Sequence, residues 1–242
     1  MLAAPLRTAL RSHPANGSMP DRAPLWVGLL WLAGMIVLLG WFGGARGLFA
    51  WRCRHWRCVD DADLVACVAD LRRRLGCRQR VRLVESAEVT SPVAFGIFRP
   101  TIALPDGFCR HHGPKQQAVM LAHELAHLAA HDPVWGWVTA GMTALLWWHP
   151  LAWWTRRQLQ EASELAADEA SLLLRDGPNT LAECLVDLGA RLQPAARVRA
   201  LGMAGSSFCS GLGRRVERLL HLRSRSWAPF GRWQAAGAIL VG

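Results

Sequence analysis

The chain has 242 residues, 52% of them hydrophobic and only 19% charged, with a formal net charge of +10. A soluble domain usually carries about 25% charged residues, so part of the apolar surface is expected to face lipid. The positive charge is almost entirely arginine, since Lys115 is the only lysine, and no helix-turn-helix, zinc-finger or RNA-binding signature accompanies it, which sets nucleic acid aside as a partner.

Residues 1–24 read as a polar leader with Arg7, Arg11 and Arg22 and several prolines. "LWVGLLWLAGMIVLLGWFGG", residues 25–44, follows without a charge. About 20 such residues at ~1.5 Å each cross a bilayer core, whereas the apolar part of a signal peptide is normally ~7–15 residues. The segment is therefore expected to be a transmembrane anchor. Arg46, Arg52, Arg54 and Arg57 come directly after it and put the remainder on the cytoplasmic side of the inner membrane. The seven cysteines form no Cys-x-x-Cys pair, the pattern of free thiols in a reducing compartment.

"DADLVACVADLRRRLG" predicts an amphipathic helix with Leu64, Val68, Leu71 and Leu75 on one stripe and Gly76 as its stop. Between Val81 and Pro105, short alternating apolar runs are broken by Pro92, Gly96, Pro100 and Pro105, predicting two or three short strands. Helical patterning resumes at Pro114, a residue suited to the first helical position. The fold class expected is mainly α with a small β-sheet (α+β).

That helix carries His123-Glu124-Leu125-Ala126-His127. Two histidines one turn apart share a face and can reach one zinc ion, and Glu124 beside them is the expected catalytic base. Zinc requires a third protein ligand. His131 is excluded, because three successive turns spread over ~12 Å of axis; it reads instead as a helix-end histidine.

Downstream, "QEASELAADEASLLL" carries Glu161, Glu164 and Asp168. Glu164 and Asp168 are one turn apart, so one can hold the metal while the other supports a ligand imidazole. The uncharged stretch between contains His149-Pro150, a turn signal. About 15 helical residues before it span ~22 Å and about 14 after it return ~21 Å. The hairpin at 134–175 thus brings Glu164 back to the histidines, with Glu161 the next suspect. The tryptophans at its ends predict a helical pair that dips into lipid or packs on the anchor, against a fully buried core hairpin.

In order, "SPVAFGIFRPTIALP", "HELAHLAAHDPVW", "WWHPLAWW" and "ELAADEA", and more weakly "GLGRRVERLL", resemble the membrane zinc metallopeptidases of the BlaR/MecR antirepressor type, peptidase family M-fifty-six. The resemblance covers residues 60–222. It implies a membrane-anchored gluzincin-like domain with one zinc per chain held by His123, His127 and Glu164. It further implies Glu124 as base, Asp168 as the acidic residue one turn beyond, and a protein or peptide substrate, such as a cytoplasmic repressor, cleaved on a signal from a separate sensor. The segment from Ser91 to Pro105 resembles the strand region flanking the cleft of such enzymes.

Two departures stand out: no penicillin-binding sensor domain follows, and residues 233–242 read as the start of a further apolar span. The expected activity is zinc-dependent endopeptidase action in regulated proteolysis. The rival is a non-catalytic membrane signalling module that keeps the zinc fold, and an intact Glu124 speaks against it. His149, Arg156 and Arg157 are the candidate oxyanion donors.

Overall fold

In a computed structural model of the chain, residues 23–199 and 205–221 are described. Most of the leader and the apolar stretch at 233–242 lie outside them. The first helix, α1, runs over Ala23–Arg52. It passes the expected end at Gly44 by eight residues, so Arg46 and Arg52 lie on the helix rather than after it. No proline interrupts this stretch and every amide can bond within the helix, whatever the change in polarity. Its span Leu25–Phe49 is long and apolar enough to cross a membrane.

The helix α2, Ala62–Arg74, starts where the Asp61 carboxylate accepts from the amides of Asp63 and Leu64, an N-cap that satisfies two otherwise free donors. Its stripe Leu64, Val68 and Leu71, with Leu75 beyond, is buried. Gly76 stops it in the left-handed region at φ 68°, which costs glycine little.

Four short strands follow the order β1-β2-β4-β3. They are β1, Arg57–Cys58, β2, Arg82–Ser86, β3, Val93–Phe95, and β4, Thr101–Pro105. β2 and β4 pair in parallel from Arg82↔Thr101 to Ser86↔Pro105. β3 pairs antiparallel with β4, and the two-residue β1 does so with β2. The continuous burial of Thr101–Leu104 reflects a central strand covered on both faces, while β3 is left at an edge.

After the short α3, Phe108–His111, comes α4, Pro114–Ala129. It packs Leu121, Leu125 and Leu128 into the main core, with Leu71, Leu83, Ile102 and Leu104 from α2 and the sheet. α4 is therefore fixed along its length before any site chemistry is considered. α5, Asp132–Leu145, and α6, Pro150–Glu169, form the hairpin, and His149 caps α6 by accepting from the Leu151 amide.

The hairpin packs on α1. The Trp31 indole N–H donates to the Leu145 carbonyl and the Trp147 indole to the Trp31 carbonyl. Gly34 approaches the Trp147 ring so closely that a Cβ there would collide with it. Trp135, Trp137, Trp148, Trp153 and Trp154 are exposed, so the hairpin is not a buried core pair. The last two helices among the described residues, α7, Gly177–Arg199, and α8, Gly205–His221, close a second cluster of Val119, Leu181, Leu185 and Leu219. Six cysteines among the described residues are free thiols.

Candidate metal centre

The i,i+4 spacing on α4 turns both imidazoles to one side, and the Nε2 atoms of His123 and His127 stand 3.3 Å apart. The returning helix α6 brings Glu164 over them. Its Oε2 lies 3.7 Å from His123 Nε2 and its Oε1 4.0 Å from His127 Nε2. One donor atom from each of the three residues lies within 4.8 Å of the others. Glu161, the alternative, is exposed and pairs with Arg157 at 3.1 Å.

The outer ring nitrogens are also provided for. His127 Nδ1 lies 2.7 Å from Asp132 Oδ2, and the Ser163 hydroxyl donates to the same carboxylate oxygen. Asp132 opens α5 five residues after His127. It comes back to the ring because the chain turns sharply through His131, whose φ is 60°. His131 itself points to Gln79, 3.4 Å away, and takes no part in the cluster. His123 Nδ1 has Asp168 Oδ1 at 3.2 Å, yet it makes no aligned hydrogen bond and is buried.

The electrostatics follow from this packing of carboxylates around imidazoles. Burial pushes the His123 pKa down, but the Asp168, Glu164 and Glu124 carboxylates outweigh it and raise it to about 9. Burial works against ionisation of Glu164, but His123, Arg215 and His127 hold its pKa down at about 2. Asp168 is likewise lowered, by His123 and Arg215 against its burial. A site that draws a proton onto a buried imidazole is one that favours a cation. Two imidazoles and a carboxylate are donors that zinc accepts, so the residues present fit a divalent metal ion.

Glu124 lies beside the cluster, half-buried. The backbone amide of Ala94 on β3 donates to its Oε2 at 2.7 Å. Burial is the main influence on its pKa and raises it, against the pull of the two imidazoles and the Ala94 N–H. Its place depends on β3, which the Phe95 ring ties to Phe49 of α1, with centroids 5.0 Å apart. His123, Glu124, His127, Asp132 and Glu164 line one cleft of about 1670 Å³, whose apolar wall includes Phe95, Phe98, Met120 and Trp135.

Sequence reasoning missed four members of this site: Asp132, Ser163, Ala94 and Arg215. Asp132 comes five residues after the motif histidine His127, and its place before Pro133 at a helix start could have singled it out. Ala94 acts through its backbone and leaves no signal in its side chain. Arg215 arrives from α8 and makes two contacts with Asp168, at 2.9 Å and 2.6 Å. Of the three candidate oxyanion donors, His149 caps α6 and Arg157 pairs with Glu161, while Arg156 lines the cleft with its guanidinium over the Phe42 ring.

Compared with known proteins, residues 9–217 match the family described as BlaR1 peptidase M56. The chain is also similar to the regulatory protein BlaR1 of Bacillus licheniformis, 25% identical over 123 residues. That match takes in 51% of this chain but only 20% of the relative.

Proposed function

Because the chain belongs to the BlaR1 peptidase M56 family, we propose that it is a membrane-anchored zinc endopeptidase acting in regulated proteolysis. One observation carries the reading: a carboxylate from α6 and two imidazoles from α4 converge within 4.8 Å, with a second carboxylate, Glu124, beside them. His123, His127 and Glu164 would hold the metal, with Asp132 fixing the His127 ring through Nδ1 and Asp168 standing 3.2 Å from the outer nitrogen of His123. When bound, zinc supplies a Lewis acid that acidifies a water molecule and polarises a peptide carbonyl.

The protein's own residues do the remainder. Glu124 keeps Oε2 on the Ala94 amide and receives the proton of the attacking water at Oε1. It then hands that proton to the leaving amine, so that one carboxylate acts first as base and then as acid. The apolar wall of the cleft excludes bulk water from the backbone of an extended substrate.

The substrate we assign is a protein, with a cytoplasmic repressor as the first candidate and a separate sensor as the trigger. The cleft then faces the cytoplasm and α1 holds the domain at the inner membrane. The test is the zinc content of detergent-purified protein, wild type beside Glu164→Ala. One zinc per chain in wild type, lost or strongly weakened in the variant, is the expected result. Zinc retained in Glu164→Ala would overturn the ligand set, and none in wild type after reconstitution would overturn the metallopeptidase reading.

A further inference from the structure

The contact that the proposed chemistry leaves without a task is the one from α8. Arg215 is four-fifths buried, with 21% of its side chain exposed. Its Nε donates to Asp168 Oδ2 at 2.9 Å and its Nη2 to Oδ1 at 2.6 Å. Nη1 reaches Glu164 Oε2 at 2.8 Å, and Nη2 stands 3.4 Å from His123 Nε2. One guanidinium thus spans two carboxylates one turn apart on α6 and borders the point where the ring nitrogens meet.

Carboxylates at that spacing repel one another on a helix surface, and Asp168 is fully buried, where an unpaired charge is strongly unfavourable. The planar fork of arginine matches a carboxylate at two points, which the ammonium of lysine does not. The aim of the fork is set by packing. Leu219, one turn after Arg215, is completely buried against Val119, Leu181 and Leu185, and this fixes the rotation of α8 about its axis.

We propose that Arg215 is a positioning residue of the metal centre. By holding Asp168 at two points and Glu164 by Oε2, it keeps Asp168 beside His123 and leaves Glu164 Oε1 free for the ion. This inference rests on the metallopeptidase reading of the same site. α8 is accordingly part of the active site, although it contributes no metal ligand.

The test is zinc affinity, measured on the full chain in detergent with zinc alone against a chromogenic chelator. Wild type is compared with Arg215→Ala, Arg215→Lys and, as a control, Arg214→Ala, whose side chain is exposed on the same helix. Loss of an outer partner of a metal ligand typically costs about 10–100-fold in affinity. Arg215→Ala is expected to fall in that range. Arg215→Lys, which keeps the charge without the fork, is expected to lie between it and wild type, and Arg214→Ala to match wild type.

Hydrogen exchange along α8 in the metal-free proteins shows whether the helix stays docked. If it undocks in Arg215→Ala, the comparison of Arg215→Lys with wild type decides. Affinity unchanged or tighter in both Arg215 variants would overturn the proposal, the tighter case meaning that the guanidinium merely repels the ion. A wild type that takes up no zinc would instead overturn the metallopeptidase reading itself.

Discussion

Glu124 has one carboxylate oxygen committed to the Ala94 amide, and the free one is where a proton can be taken up. Replacing it with glutamine keeps the shape and removes the basicity. Glu124→Gln is therefore expected to bind zinc as wild type does while peptide cleavage falls by about 10²–10⁴-fold, measured on a substrate peptide beside a zinc assay. Asp132 does different work, fixing the His127 ring through Nδ1 at 2.7 Å. Asp132→Asn should weaken zinc binding by about 10–100-fold, read by chelator competition. At this scale the motif histidines and Glu124 were legible because their spacing on one helix is itself the geometry. Asp132 required knowing that the backbone reverses at His131. Arg215 lies 47 residues from its partner Asp168, and no local pattern announces a contact of that kind.

Among the elements, α2 was the most readable, since its Asp61 cap, apolar stripe and Gly76 stop all agree. Leu71, 2% exposed, packs in the main core with Leu121 and Leu125 of α4. Leu71→Ala is expected to lower unfolding stability by about 2–5 kcal/mol, measured by denaturant titration, without altering the zinc stoichiometry of the folded fraction. Less could be read of the sheet. β1, only two residues long, carries no periodicity, and its pairing with β2 depends on where the chain leaves α1. The turn at His149-Pro150 was predicted from the proline. That the histidine caps the helix through its own ring is a local hydrogen bond that spacing alone does not announce. The return of α6 over α4 followed from equal arm lengths, so Glu164 was located by arithmetic on helical rise.

For the molecule as a whole, the sequence pointed to an apolar anchor and a separate domain, and the structure joins the two by specific contacts. Trp31 and Trp147 each donate to a carbonyl on the other's segment, and Arg46 donates to the Gly136 carbonyl at 3.2 Å while lying over the Trp137 ring. Phe49 continues the link to β3, and β3 holds Glu124. A side chain at Gly34 would press into the Trp147 ring, whereas one at Gly28 meets nothing within 4 Å. Gly34→Ala is expected to destabilise the detergent-solubilised protein by about 1–3 kcal/mol, as overpacking does, and Gly28→Ala to leave its thermal midpoint unchanged.

The notch at Gly34 works as a keyway. A helix with a uniform apolar surface can swivel about its axis and slide along it at little energetic cost. One whose gap receives an indole has a single angular phase and a single height. Turning α1 by one residue would swing a side chain into Trp147 and misalign both indole donors. α1 and the cleft therefore share one frame of reference, and the distance from the apolar span to Glu124 is set by the protein itself.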